Sequence, residues 1–382
     1  MNPTKPPHAA VLAPLLGVTG VLFLSCMATP PSSILAFDGG RVLAADPVEA
    51  GRVETLVSDL RPRLLELLPD TQFDDVDVWV QERPSLYRFT AASTADAEGL
   101  WSPSHRRIML SRHADHFART LAHEMTHAVL GESWALLPGS IEEGLADHVS
   151  ATLCENGAAR LRAGRLSSAC LATGGLEIDV DVVRVDRRTD DLVPVQRGWS
   201  ARVKLKGDTE TTDPMDVFRL AAGLSSTKLD TGTKRGFYGL AYVAVSRIVE
   251  REGYAGLHRL CEEAYEEGFD RVPAGAILRA ANLDKDPETW RAAAASAMGD
   301  REIVELVRMY PDFLVDALTG YLATVHDGAQ RAVDPADLLD EVDVKVRLAD
   351  GRNSITLTEL PFVRAEVIAA LRVEAAVESA HR

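Results

Sequence analysis

Between Phe117 and Leu130 the chain reads Phe-Ala-Arg-Thr-Leu-Ala-His-Glu-Met-Thr-His-Ala-Val-Leu, and this run constrains the fold more than any other. Phe117, Leu121, Met125 and Val129 recur every four residues, so the segment is a helix with one face turned to a core. His123 and His127 share another face one turn apart, where both rings can reach a single metal ion. Glu124 lies between them and approaches the same place from the side. A polar face half-buried without a ligand would be costly. The H-E-x-x-H pattern therefore predicts a metal-binding helix. Ile108-Met-Leu110 before it reads as a short strand, Ser111 to Asp115 as a turn with helix-start residues, and Gly131 as a left-handed helix stop. Zinc held this way keeps a coordination position for water, whose pKa falls from about 15.7 to about 7, and a neighbouring carboxylate can take the proton. That is the equipment of a hydrolase.

Catalytic zinc usually has three protein ligands, so a third is required. After His127 come fifteen residues and then Glu143, within Pro138-Gly-Ser-Ile-Glu-Glu-Gly-Leu-Ala-Asp-His148. Two other readings of this stretch stay open. Ser140 with Glu143 three residues on has the form of a capping box that simply starts a helix. Glu142 is the competing ligand, about 100° from Glu143 around the helix, and only one of the two can face the metal. Asp147 shares the face of Glu143. It is either a solvated aspartate or a carboxylate that accepts the free ring N–H of a ligand histidine and so fixes its tautomer.

His-Glu-Met-Thr-His followed by Glu143-Gly144-Leu145-Ala146 resembles the gluzincin metallopeptidases, the peptidase MA type that includes thermolysin and aminopeptidase N. The resemblance implies that His123, His127 and Glu143 hold one zinc ion, that Glu124 is the general base and that Asp147 supports a histidine. Gly99-Leu-Trp101 and Arg106 to Leu110 are similar to the family's two edge strands, one of which lies against substrate backbone. Phe237-Tyr-Gly-Leu-Ala-Tyr242 resembles its Tyr-x-x-Gly stretch, which makes Tyr238 the donor to the oxyanion, although an aromatic on an amphipathic helix is more often core. The Gly-x-Met-Glu-Asn element by which aminopeptidase N grips a free amino terminus is absent, so the implied activity is that of an endopeptidase.

The chain has 382 residues, 46% of them apolar, enough for two domains or for one with a sizeable insertion. A net charge of −16 with no basic cluster is unsuited to nucleic acid, whose binding rests on Lys and Arg neutralising phosphates. Lys5 followed by the uncharged run from Ala9 to Met27 has the layout of an export signal. Phe23-Leu-Ser-Cys26 resembles a bacterial lipobox, which implies a signal over 1–26, lipid attachment at Cys26 and a cell-envelope protein tethered by residues 27–45. A plain cleaved signal and secretion, or an uncleaved anchor, are the alternatives. Cys154 and Cys170 flank a stretch of small residues that a disulfide could close. Cys261 sits on an apolar helical stripe as a buried free thiol.

Elsewhere, Pro47 to Leu68 has helical spacing interrupted near Pro62, and Val76 to Val80 alternates like a strand. Gly174 to Gly207 reads as an inserted β-hairpin around Arg188-Thr-Asp-Asp191, a surface ornament more than a flap over a cleft. Asp216 to Leu224, Arg235 to Glu252, Tyr254 to Gly268 and Ala276 to Ala297 read as helices. His105, His113, His116, His148 and His258 read as solvated or helix-terminal. The expected fold is α+β and zincin-like: a small, mostly antiparallel sheet, then a helical half, together spanning 46–300 with the insertion near 170–210. A C-terminal α+β extension over 301–382 includes a strand pair at Val342 to Leu348 and Ser354 to Leu357. The expected activity is zinc-assisted hydrolysis of a peptide or protein. The alternative is an inactive zincin-fold binding or scaffold lipoprotein.

Overall fold

A computed structural model of the chain describes residues 31–82, 98–184, 198–207, 211–219, 229–328, 340, 342–358 and 369. The export signal, Cys26 and the turn at 188–191 lie outside these residues. The fold is α+β and divides into two compact units, residues 1–59 with 74–117, and residues 60–73 with 118–382. No helix among the described residues is long and apolar enough to cross a membrane.

The first unit is built on a five-stranded sheet of β1 (Ser33–Phe37), β2 (Gly40–Ala44), β3 (Val76–Gln81), β4 (Gly99–Ser102) and β5 (Arg107–Ser111), ordered β1-β2-β3-β5-β4. The outer pairs are antiparallel and the two central pairings parallel, so the sheet is evenly mixed where a mostly antiparallel one was expected. Its interior is β-branched: Val42, Val76, Val78 and Ile108 are fully buried. From Ser33 onward the stretch expected to be a tether is a β-hairpin within this sheet, because Ile34 to Phe37 and Arg41 to Ala44 find ladder partners. Helix α1 (Pro47–Leu67) runs unbroken through Pro62, and Val53, Val57, Leu60 and Leu64 form its buried stripe.

The second unit contains α2 (Phe117–Val129), α3 (Gly139–Leu153), α4 (Ala158–Ala172), α5 (Thr231–Glu252), α6 (Tyr254–Glu266), α7 (Ala274–Ala281), α8 (Pro287–Ser296), α9 (Asp300–Met309) and α10 (Asp312–Gly328). Gly131 does not cap α2 in the left-handed conformation; its φ is −90° and it opens the short 3₁₀ turn Glu132–Trp134. Residues 158–172, taken from sequence as part of a disulfide-closed loop, are instead the helix α4. Gly157 at φ +76° starts it, and Ala, Leu and Arg favour its interior. Cys154 and Cys170 are accordingly buried and not bonded to each other, and Cys261 is buried as well.

Three glycines set how closely the central helices pack. A Cβ on Gly144 of α3 would lie 2.7 Å from the Ala241 backbone of α5, and one on Gly239 of α5 would lie 2.5 Å from Ala169 N and Arg165 O of α4. Gly236 similarly abuts Ala172. Helix α5 is thus pressed against both α3 and α4.

The described parts of the expected insertion, residues 174–184 and 198–207, are no surface ornament. Their strands β6 (Leu176–Arg184) and β7 (Trp199–Leu205) join β8 (Val342–Leu348) and β9 (Ser354–Leu357) in a four-stranded antiparallel sheet ordered β7-β6-β8-β9. Ile178, Val180, Val182, Val344 and Val346 are fully buried on one face, while Asp179 on the other takes ion pairs from Arg202 and Arg347 at 2.7 Å. Strands from the expected insertion and from the expected extension therefore share one sheet.

Candidate metal centre

Helix α2 turns Leu121, Met125 and Val129 inward and leaves His123 and His127 on a half-buried face. Their Nε2 atoms are 3.2 Å apart. Glu143 Oε2, from α3, lies 3.4 Å from His123 Nε2 and 3.6 Å from His127 Nε2. A tetrahedral ion with bonds of about 2.0–2.2 Å sets its ligand atoms about 3.3–3.6 Å apart, close to the three separations here. The three side chains form a group that can hold a metal ion.

The ring nitrogens facing away from this point explain the donor chemistry. His123 Nδ1 is 3.1 Å from Asp147 Oδ1, and His127 Nδ1 is 2.6 Å from Glu142 Oε1. Each carboxylate accepts a ring N–H, which in the neutral imidazole leaves Nε2 with a lone pair. Two lone pairs and a carboxylate oxygen then converge with no hydrogen between them. Only a cation or added protons can satisfy that arrangement, and the residues fit a metal.

Protons fill the role in the metal-free protein. Burial alone would lower the His123 pKa, but hydrogen bonds to Asp147 and Glu143 outweigh it and raise it to about 9. His127 is likewise raised well above its usual value, since Glu142 and Glu143 overcome its burial. Burial opposes ionisation of Glu143, yet the two imidazoles prevail and lower it to about 2. Asp147 is also buried, but Arg165 and His123 hold it well below the carboxylate range.

Third-ligand alternatives separate cleanly. Helix α3 begins at Gly139 with Pro138 as a cap that makes no side-chain hydrogen bond, and Ser140 Oγ donates to Val217 O at 2.6 Å instead of capping. Glu143 is therefore not held in a capping box. Glu142 points to the far nitrogen of His127, the role sequence had considered only for Asp147. Two consecutive carboxylates diverging by about 100° on one helix carried that signal, since one can reach the metal and the other a ring N–H.

Arg165 is the residue that sequence did not reveal. From α4 its Nε donates to Asp147 Oδ2 at 2.5 Å, and its guanidinium stacks 4.6 Å from the Tyr238 ring centroid. Tyr238 is half-buried; burial and then the Glu143 charge keep its phenol protonated far above its ordinary range. Glu124 is buried, and its charge acts on both His123 and Tyr238. Tyr242 stands apart from the group, its ring 5.6 Å from that of His148.

The other histidines divide. His105 and His113 are exposed, bonded to Ser102 at 2.9 Å and Glu82 at 2.8 Å. His258 is buried against Trp134, and His148, in mid-helix, meets Tyr254 Oη at 2.8 Å, so neither is the solvated residue expected. Comparison of the chain with protein-family models, with curated proteins and with solved structures finds no match.

Proposed function

We propose that this chain is a zinc-dependent peptidase of the gluzincin type that cleaves internal peptide bonds of an exported peptide or protein substrate. The observation that carries this reading is the convergence of His123 Nε2, His127 Nε2 and Glu143 Oε2, 3.2–3.6 Å apart, with buried Glu124 beside them. These three side chains would hold one zinc ion, which when bound supplies Lewis acidity and makes water acidic. Glu124 takes the proton of the attacking water and returns it to the leaving amine. Tyr238, kept protonated, donates its O–H to the peptide oxygen as negative charge gathers there, a contribution of about 3–4 kcal/mol for one such donor. Asp147 and Glu142 fix the tautomers of the two histidines, and Arg165 in turn anchors Asp147. Lipid attachment at Cys26 would keep the enzyme at the cell envelope.

Zinc stoichiometry tests the proposal. About one zinc per chain is expected in the wild type, lost in His123→Ala and Glu143→Ala and retained in Glu142→Ala. Turnover of a peptide library by the wild type, abolished in Glu124→Gln with zinc still bound, completes the case. Zinc without turnover would favour a zincin-fold binding lipoprotein, and absence of zinc would reject both readings.

A further inference from the structure

Helices α3, α4 and α5 also line a cavity of about 440 Å³ that contains none of the three ligand side chains. Its wall lies a residue or a turn along from the residues already described: His148 follows Asp147 on α3, Arg162 precedes Arg165 on α4, and Tyr242 follows Tyr238 on α5. Arg247 of α5 and Arg352 from the turn between β8 and β9 complete the polar side. Helix α8 and its C-cap contribute only small residues there, Ala293, Ser296 and Ala297, which leaves the volume open.

In a chain of net charge −16 this cavity is locally cationic. Three guanidinium groups line it against the single carboxylate of Glu250, which pairs with Arg247 Nη1 at 2.8 Å. Arg162 gives its Nε to Glu302 at 2.7 Å and keeps its remaining N–H donors. Arg247 Nε is buried without a hydrogen-bond partner. Arg352 is exposed and has no ion pair among the described residues. His148 adds no charge, because burial and the adjacent Arg162 lower its pKa to about 4.

We propose that this cavity binds a small organic phosphate, its dianionic group held by Arg162, Arg247 and Arg352 and its organic part against Leu166 and Val243. Forked guanidinium donors match phosphate oxygens, and with Glu302 on Arg162 and Glu250 on Arg247 the three cations keep one net positive charge, that of Arg352, for an anion. The cavity is also larger than a bare phosphate needs, and the apolar side chains lining it suit an attached carbon skeleton.

Calorimetric titration of the full-length, metal-stripped chain with glycerol 3-phosphate tests this. Saturable binding at one site per chain is expected, weakened at least about tenfold in Arg352→Met and in Arg247→Met and unchanged in His123→Ala. Arg352 is exposed, so its variant keeps the fold, which circular dichroism checks. Equal binding by wild type and both arginine variants, or loss of binding in His123→Ala, overturns the proposal. If glycerol 3-phosphate fails to bind but vesicles containing phosphatidate co-sediment with the wild type and not with Arg352→Met, the same site takes its phosphate from a lipid headgroup. Failure of both ligands overturns it.

Discussion

His127 and His123 are each gripped at both ring nitrogens, and the outer grip decides how well the inner one binds metal. Glu142→Gln replaces a carboxylate 2.6 Å from His127 Nδ1 with a weaker acceptor, so metal affinity should fall about 10- to 100-fold, measured by chelator competition. Asp147→Asn should cost more than affinity. It leaves Arg165 without its buried counter-charge, and the metal-free protein should lose about 3 kcal/mol in urea unfolding. The pH dependence follows from the same groups. The His123 pKa is raised from 6.5 to about 9, so its contribution to stability is complete below pH 6.5 and disappears as pH climbs through 9. His148 is shifted the other way, from 6.5 to about 4, so stability falls as pH drops across that interval. Glu143, lowered from 4.5 to about 2, adds a further loss at the acid end. The metal-free protein should therefore be most stable near pH 6.5, and metal affinity should rise with pH toward 9 because the ion displaces imidazole protons. Urea midpoints and metal titrations across pH 4–9 check both.

Helix α5 meets α3 and α4 through glycine, and that close packing is what brings Tyr238 to the Arg165 guanidinium. Gly239→Ala inserts a methyl 2.5 Å from the backbone of α4, where nothing flexible can yield, and should destabilise by about 1–3 kcal/mol. Gly51→Ala is the matching control. It lies within α1 with nothing within 4 Å of the added Cβ, so it should stabilise by about 0.5–1 kcal/mol through helix propensity. Thermal unfolding of the two variants should move in opposite directions. In Glu143-Gly144-Leu145-Ala146 the glycine consequently has a packing role of its own, beside the ligand that precedes it.

Across the molecule, strands separated by more than 150 residues share one sheet: Ile178 pairs with Leu348 and Val182 with Val344. Truncation after residue 341 would strip β6 of a neighbour and expose Val180 and Val182, so the shortened chain should be recovered largely in the insoluble fraction while the full chain stays soluble. Sequence alone determined the features whose cause is local. The four-residue apolar spacing around H-E-x-x-H defines α2, alternation defines the strands at Val76, Val342 and Ser354, and one helical turn puts two imidazoles together. It also brought out His123 and His127 by i,i+4 geometry with Glu142 or Glu143 as third ligand, and the family resemblance picked Glu143. Tertiary structure decided what depends on distant chain segments meeting. It assigned Glu142 to His127, paired Arg165 from a helix that sequence had missed with Asp147, joined the hairpin to the C-terminal strands and kept Cys154 and Cys170 apart. The physical reason is range: hydrophobic period and helix geometry act over a few residues, whereas which buried charge meets which depends on how closely the helices can approach.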